Sequence, residues 1–217
     1  MKDFAVIFDM DGVIVDSNSY HKEAYKLFFA NHGIFVSDED FKLRMYGRIN
    51  PDIIKHFFGN IPPEQIREYV EEKENLFRKL MGKNITATKG LPEFLEMLKE
   101  NGITCAVATS APPENAEFIL SGLHIKDHFD VIVDETQVTK GKPDPEIYLK
   151  AAEKINYPPE RCIVVEDSVS GIKSGLNAGM KVVAIATTHK REELPLADMV
   201  IDDFSGLDIE KMRGLIK

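Results

Sequence analysis

A chain of 217 residues has room for one α/β domain of ordinary size, or for a core domain that carries a smaller inserted one. Hydrophobic residues make up 43% and charged residues 29%, which allows a real core and excludes a largely disordered chain. The formal net charge of -9 opposes non-specific binding to nucleic acid or to an anionic membrane, so an anionic substrate must be gathered by local cations.

In chain order, Met1-Lys2-Asp3 leads straight into an apolar run of strand length, Phe4 to Phe8. No signal-peptide core or membrane-length run is seen, so a cytoplasmic protein without membrane partners is expected. The next strand-length run, Ile103 to Ala108, begins about 90 residues later, far more than a crossover connection needs. An inserted domain is the economical explanation. Tyr20, Ala24, Leu27 and Phe28 repeat at helical spacing, as do Ile66, Tyr69, Val70, Phe77 and Leu80, so the insert is predicted to be a small helical bundle. Hinges are expected near Val13 to Ser17 and Gly82 to Gly90. This places a core at 1–15 and 87–217 and the insert at 16–86.

Beyond the insert, Leu91, Phe94, Leu95 and Leu98 mark a helix that Asn101-Gly102 can end, and Asp144-Pro145 can cap and start another. Strand-length runs recur at Val131 to Val133, Cys162 to Val165 and Val182 to Ala186, with helical patterns between most of them. That alternation predicts a parallel sheet covered by helices. Cys105 and Cys162 each sit in an apolar strand-like run, which points to two buried reduced thiols instead of a disulfide or metal site. Asn84-Ile85-Thr86 matches a glycosylation sequon, expected to be a chance match because no secretory signal is read in the sequence.

The chemistry concentrates at strand ends. Phe8-Asp9-Met10-Asp11-Gly12 puts two carboxylates at the C-terminal end of the first strand, the edge at which open α/β sheets bind ligands. Asp-x-Asp-Gly can equally make a simple turn. Three further ends carry suitable groups: Thr109-Ser110 after the second strand, Lys142 before Pro143-Asp144-Pro145, and Glu166-Asp167-Ser168 after the fourth. Oxygen ligands from Asp9 and Asp167 suit Mg²⁺, and Lys142 can neutralise a phosphate oxygen, whereas Lys140 reads as a solvated turn residue.

Taken together, FDMDG, VATS, GKPDPEIY and VVEDSVSGI resemble, in order, the four motifs of the haloacid dehalogenase superfamily, close to its β-phosphoglucomutase-like phosphatases. The resemblance covers essentially the whole chain. It implies a Rossmann-like core with an α-helical cap inserted after the first strand, and a Mg²⁺-dependent phosphotransferase. It further implies that Asp9 is the nucleophile, ionised at neutral pH from a reference pKa near ~3.9, and that Asp11 is the general acid and base. Asp9, the Asp11 main-chain carbonyl and Asp167 would hold Mg²⁺, with Glu166 bound directly or one step removed. Thr109, Ser110 and Lys142 would bind the transferring phosphoryl group. His21, Gly47 and Arg48 of the cap would face it, while Ser168 and Gly171 would shape the loop and next helix.

Two activities share that chemistry. A mutase must hold a bisphosphate in two orientations, which in resembling mutases uses an Arg three residues after the cap Gly and a Ser-Lys-Asn run after the second strand. Here those positions hold Asn50 and Ala111-Pro112-Pro113, with Arg48 and Asn115 nearby as partial substitutes. A phosphatase acting on a small phosphorylated metabolite, such as a sugar phosphate, is therefore expected ahead of a β-phosphoglucomutase, and as a monomer. A silent binding protein on the same fold ranks last, because Asp9, Asp11 and Asp167 are all present. No G-x-G-x-x-G, G-x-x-x-x-G-K-[ST] or H-E-x-x-H pattern points to another enzyme class.

Overall fold

The computed structural model describes residues 4–45 and 49–216. In chain order they form β1 (Ala5–Phe8), α1 (Asn18–Asn31), the short α2 (Asp38–Asp40) followed by a π-helical turn (Phe41–Met45), α3 (Asn50–Phe58), α4 (Pro63–Met81), α5 (Leu91–Glu100), β2 (Thr104–Ala108) and α6 (Pro113–Gly122). There follow β3 (Val131–Val133), α7 (Glu146–Lys154), β4 (Cys162–Glu166), α8 (Val169–Asn177), β5 (Lys181–Ile185), β6 (Met199–Ile201) and α9 (Ile209–Ile216). None of these helices is long and apolar enough to cross a membrane.

The six strands form one parallel sheet in the order β3-β2-β1-β4-β5-β6, the Rossmann-like α/β architecture expected from the alternating runs. The innermost strands are apolar at nearly every position because helices cover both faces. β1 is buried along its whole length, and so is β4. The sequence pattern does not predict β6: three half-buried residues at the sheet edge carry too little periodicity to announce a strand.

One sheet face packs against Ile147, Tyr148, Ala151 and Ala152 of α7 and Ile172 of α8. An aromatic cluster forms around Phe8, whose ring lies edge-on to Phe94 at 6.3 Å and to Phe129 at 5.8 Å, while Phe94 stacks on Phe204 at 5.4 Å. Such pairs add roughly 0.5–1.5 kcal/mol each beyond the area they bury. Register then sets the functional edge. Phe8 pairs with Val107 on one side and Val165 on the other, so Asp9, Thr109 and Glu166 all emerge at the C-terminal edge of three adjacent strands.

The chain divides into two compact units, Met1–Asp16 with Ile85–Lys217, and Ser17–Asn84. The second unit contains α1 to α4 around Tyr25, Phe28, Phe29, Ile53, Ile54 and Ile66. The buried stripe of α1 differs from the predicted one: Ala24, Tyr25, Phe28 and Phe29 are buried, whereas Leu27 is 37% exposed. The larger apolar area of Tyr25 and Phe29 sets the helix's rotation. Lys73 and Glu74 of α4 are also buried, as a contact pair at 2.8 Å that a charged stretch does not reveal in sequence.

Both thiols lie in the first unit. Burial pushes Cys105 up to about 12, with Asp130 adding to the shift, and burial with a contribution from Glu160 does the same for Cys162. A thiol held neutral and enclosed is a poor nucleophile. Titration with a disulfide reagent at pH 8 should therefore label neither cysteine in the native protein and both in guanidinium; rapid native labelling of either would contradict this packing.

Candidate active site

The Asp9 to Gly12 segment forms a turn that leaves Asp9 and Asp11 at the sheet edge. β1 ends at Phe8, and the Asp9 N–H donates to Val165 O at 3.0 Å. The chain then folds back, with Gly12 N–H on Val15 O at 2.8 Å and Ile14 N–H on Met10 O at 2.8 Å. Gly12 sits at φ +80°, and a Cβ there would overlap Asp167 Oδ2. Glycine is needed on both counts, because it reaches the left-handed region cheaply and lets a carboxylate approach the main chain.

At the centre is the Lys142 ammonium. Its Nζ lies 2.7 Å from Asp9 Oδ1 and 2.6 Å from Glu166 Oε1, and its side chain is 8% exposed. Burial works against this charge, yet Asp9 and Glu166 outweigh it and hold the ammonium protonated well above its ordinary range. Lys140, two residues earlier, is solvated and only grazes Asp144 at 3.4 Å.

The carboxylates around Lys142 behave differently. Burial raises Asp9 to about 7, with Lys142 pulling back and Glu166 and Asp11 pushing further up. Burial likewise opposes charge on Glu166, but Lys142 and several hydrogen bonds prevail and keep it below the usual carboxylate range. The two acids share one ammonium, and Glu166 is the better stabilised as an anion because Tyr148, Ser168 and the Asp167 N–H also donate to it. Asp167 is raised well above its ordinary value by burial, then by Glu166 and Asp9.

Carboxylate oxygens of Asp9, Glu166 and Asp167 lie within 4.8 Å of one another, all buried. Beside one ammonium, three such acids would leave two negative charges in excess if all were ionised, and burial of uncompensated charge is costly. A divalent cation with an oxygen preference fits that donor set. Threonines beyond the sequence motifs organise its surroundings: Thr188 Oγ1 donates to Asp167 Oδ2, and Thr187 Oγ1 to the Gly12 carbonyl at 2.5 Å. Neither is foreseeable from the sequence, since a Thr-Thr pair after a strand has no distinctive pattern.

Of the other expected residues, Thr109 is buried, its Oγ1 accepting from Ala111 N–H at 3.1 Å, which leaves its O–H to donate. Ser110 is exposed and Asp11 half-buried at the same edge. Ser168 caps α8, accepting from Gly171 N–H at 3.1 Å. His21 lies in the second unit, where it stacks on Phe77 at 3.8 Å and its Nδ1 accepts from Lys73 Nζ at 2.8 Å. Gly47 and Arg48 lie outside the described residues.

Residues 6–185 match the family model of the haloacid dehalogenase-like hydrolases. The chain belongs to this family. A phosphorylated carbohydrates phosphatase of Thermotoga maritima is 37% identical over 182 residues, covering 82% of each chain. A beta-phosphoglucomutase of Bacillus subtilis is 33% identical over 216 residues, covering 95% of this chain and 92% of the relative. Among solved structures, a HAD hydrolase of family IA, variant 3, from Entamoeba histolytica superposes with a TM-score of 0.91 at 35% identity, covering 100% of this chain and 99% of that one. The fold of these hydrolases and the observed sheet are the same.

Close approach to Glu166 makes Gly171 a second constrained glycine, because a Cβ there would overlap Glu166 Oε1. Gly171→Ala should destabilise by about 1–3 kcal/mol, as overpacking does. Gly214 of α9 has open space where a Cβ would sit, with nothing within 4 Å, and should gain roughly 0.5–1 kcal/mol on the same change. Denaturant unfolding of both variants checks the pair, and equal effects would contradict the contact.

Proposed function

We propose that the protein is a Mg²⁺-dependent phosphatase that hydrolyses a small phosphorylated metabolite, of the sugar phosphate class, through a phosphoryl group carried on Asp9. The observation that carries this reading is the buried Asp9 carboxylate held 2.7 Å from Lys142 at the sheet edge of a haloacid dehalogenase-like chain. The name of the Thermotoga maritima relative supports the substrate class.

In the first half-reaction an Asp9 carboxylate oxygen attacks phosphorus and the bond to the leaving oxygen breaks. Asp11 gives its proton to the departing alkoxide. In the second, Asp11 takes a proton from water as the water oxygen attacks the same phosphorus. The bond to Asp9 breaks and inorganic phosphate leaves. Lys142 and the Thr109 hydroxyl neutralise and orient the phosphoryl oxygens through both steps. Asp9, Asp167 and the Asp11 carbonyl would hold Mg²⁺, which when bound supplies the positive charge that the acid cluster and the phosphate both lack.

The Ser17–Asn84 unit serves as the cap that selects the leaving group, with His21 as a contact to substrate. Hydrolysis is favoured over isomerisation by what surrounds the mutase-type anchor positions. Pro112 and Pro113 begin α6, where prolines offer no N–H to a second phosphate, and Asn115 is wholly buried. Asn50 is committed within its own unit, donating to Glu74 Oε1 at 2.7 Å and accepting from the Tyr25 hydroxyl.

The test is phosphate release from a panel of sugar phosphates. Turnover should vanish in chelator, return with Mg²⁺ but not Ca²⁺, and fall by a factor on the order of 10⁴ or more in a folded Asp9→Asn variant. With β-glucose 1-phosphate, phosphate release should outpace formation of glucose 6-phosphate even when glucose 1,6-bisphosphate is added. Bisphosphate-stimulated isomerisation with negligible release would reverse the assignment, as would near-normal turnover by Asp9→Asn.

A further inference from the structure

Tyr148 is a buried titratable group that the reaction scheme leaves unused. It lies on α7, six positions after Lys142, and is wholly buried. Its hydroxyl donates to Glu166 Oε1 at 2.7 Å, the same oxygen that receives Lys142 at 2.6 Å. Its ring centre stands 4.9 Å from the Lys142 Nζ, so the ammonium also meets an aromatic face. The other oxygen, Glu166 Oε2, accepts from Asp167 N–H, Ser168 N–H and Ser168 Oγ, each at 3.0 Å. A carboxylate offers about four acceptor sites, and protein donors take all of those on Glu166. Glu166 is thereby fixed as a counter-ion, and the cation ligands in the acid cluster reduce to Asp9 and Asp167.

The Lys142 ammonium has three N–H donors, and they reach Asp9 Oδ1 at 2.7 Å, Glu166 Oε1 at 2.6 Å and the Ala108 carbonyl at 3.5 Å. The Glu166 contact fixes the direction in which the ammonium's remaining donors meet Asp9 and a phosphoryl group carried on it. A hydroxyl that shares Glu166 Oε1 weakens that oxygen's pull on the ammonium and pins the carboxylate in place.

We propose that Tyr148 is a positioning residue, which acts through Glu166 to keep Lys142 aimed at the phosphoryl group on Asp9. The proposal rests on the phosphatase reading above. Because the hydroxyl is wholly buried and donates to Glu166 Oε1, its effect passes through Glu166 and Lys142.

A double-mutant cycle tests this with p-nitrophenyl phosphate and Mg²⁺. Tyr148→Phe keeps the ring and removes one oxygen. Loss of a hydrogen bond to a charged group should lower kcat about tenfold while KM stays within about twofold. In the Lys142→Met background, adding Tyr148→Phe should change neither the residual rate nor calorimetric binding of vanadate by more than about twofold. Affinity for Mn²⁺, followed by its electron paramagnetic resonance, should be unchanged by Tyr148→Phe. Unchanged kcat in Tyr148→Phe, or an equal additional loss in the Lys142→Met background, would overturn the positioning role while leaving the phosphatase reading intact. Absence of Mg²⁺-dependent phosphate release by the wild-type protein would remove both.

Discussion

Every feature of the site answers to one constraint: a lysine ammonium buried between two carboxylates at the end of a sheet. Lys142 touches Asp9 and Glu166 in an enclosure where neither sign of charge is well solvated. Buried ion pairs of this kind often contribute little to stability, since desolvation offsets their attraction. Their retention is better explained by chemistry, and strongly shifted acids gathered at one edge are a mark of functional sites. Burial works against charge on both acids, and the extra donors on Glu166 hold it low while Asp9 is raised to about 7.

The fold supplies rigidity for that arrangement. Parallel pairing of β1 with both β2 and β4 places three strand ends within reach of one another, and the wholly buried apolar strands behind them resist displacement. Glycine matters here for space as much as for conformation. Gly12 admits the Asp167 carboxylate and Gly171 admits that of Glu166, so the turn after β1 and the first turn of α8 both close on the acids.

Much of this is legible in the sequence because the strand ends carry their chemistry in short contiguous motifs. Asp9, Lys142, Glu166 and Asp167 are found together as a buried cluster, although 133 residues separate Asp9 from Lys142. Less legible are contacts that depend on tertiary packing. Tyr148 closes the GKPDPEIY motif without any role of its own in the sequence, and its hydroxyl gains meaning only when α7 brings it to Glu166. Thr188 follows β5 without any motif, and Lys73 with Glu74 looks like a solvated stretch until α4 buries both. The edge strand β6 escapes for a different reason, since three half-buried residues give no usable period.

The second unit carries its own polar network, in which Tyr25, Asn50, Glu74, Lys73 and His21 are joined in sequence by hydrogen bonds. That network engages the Asn50 side chain, which is bonded on one side to Tyr25 and on the other to Glu74. The central claim, that Asp9 carries the phosphoryl group, is tested most directly by the stereochemical course at phosphorus. A chiral, isotopically labelled thiophosphate ester hydrolysed in labelled water should give product with retained configuration, because attack by Asp9 and then by water are two successive in-line displacements. Inversion would mean that water attacks the ester directly, and would contradict the account.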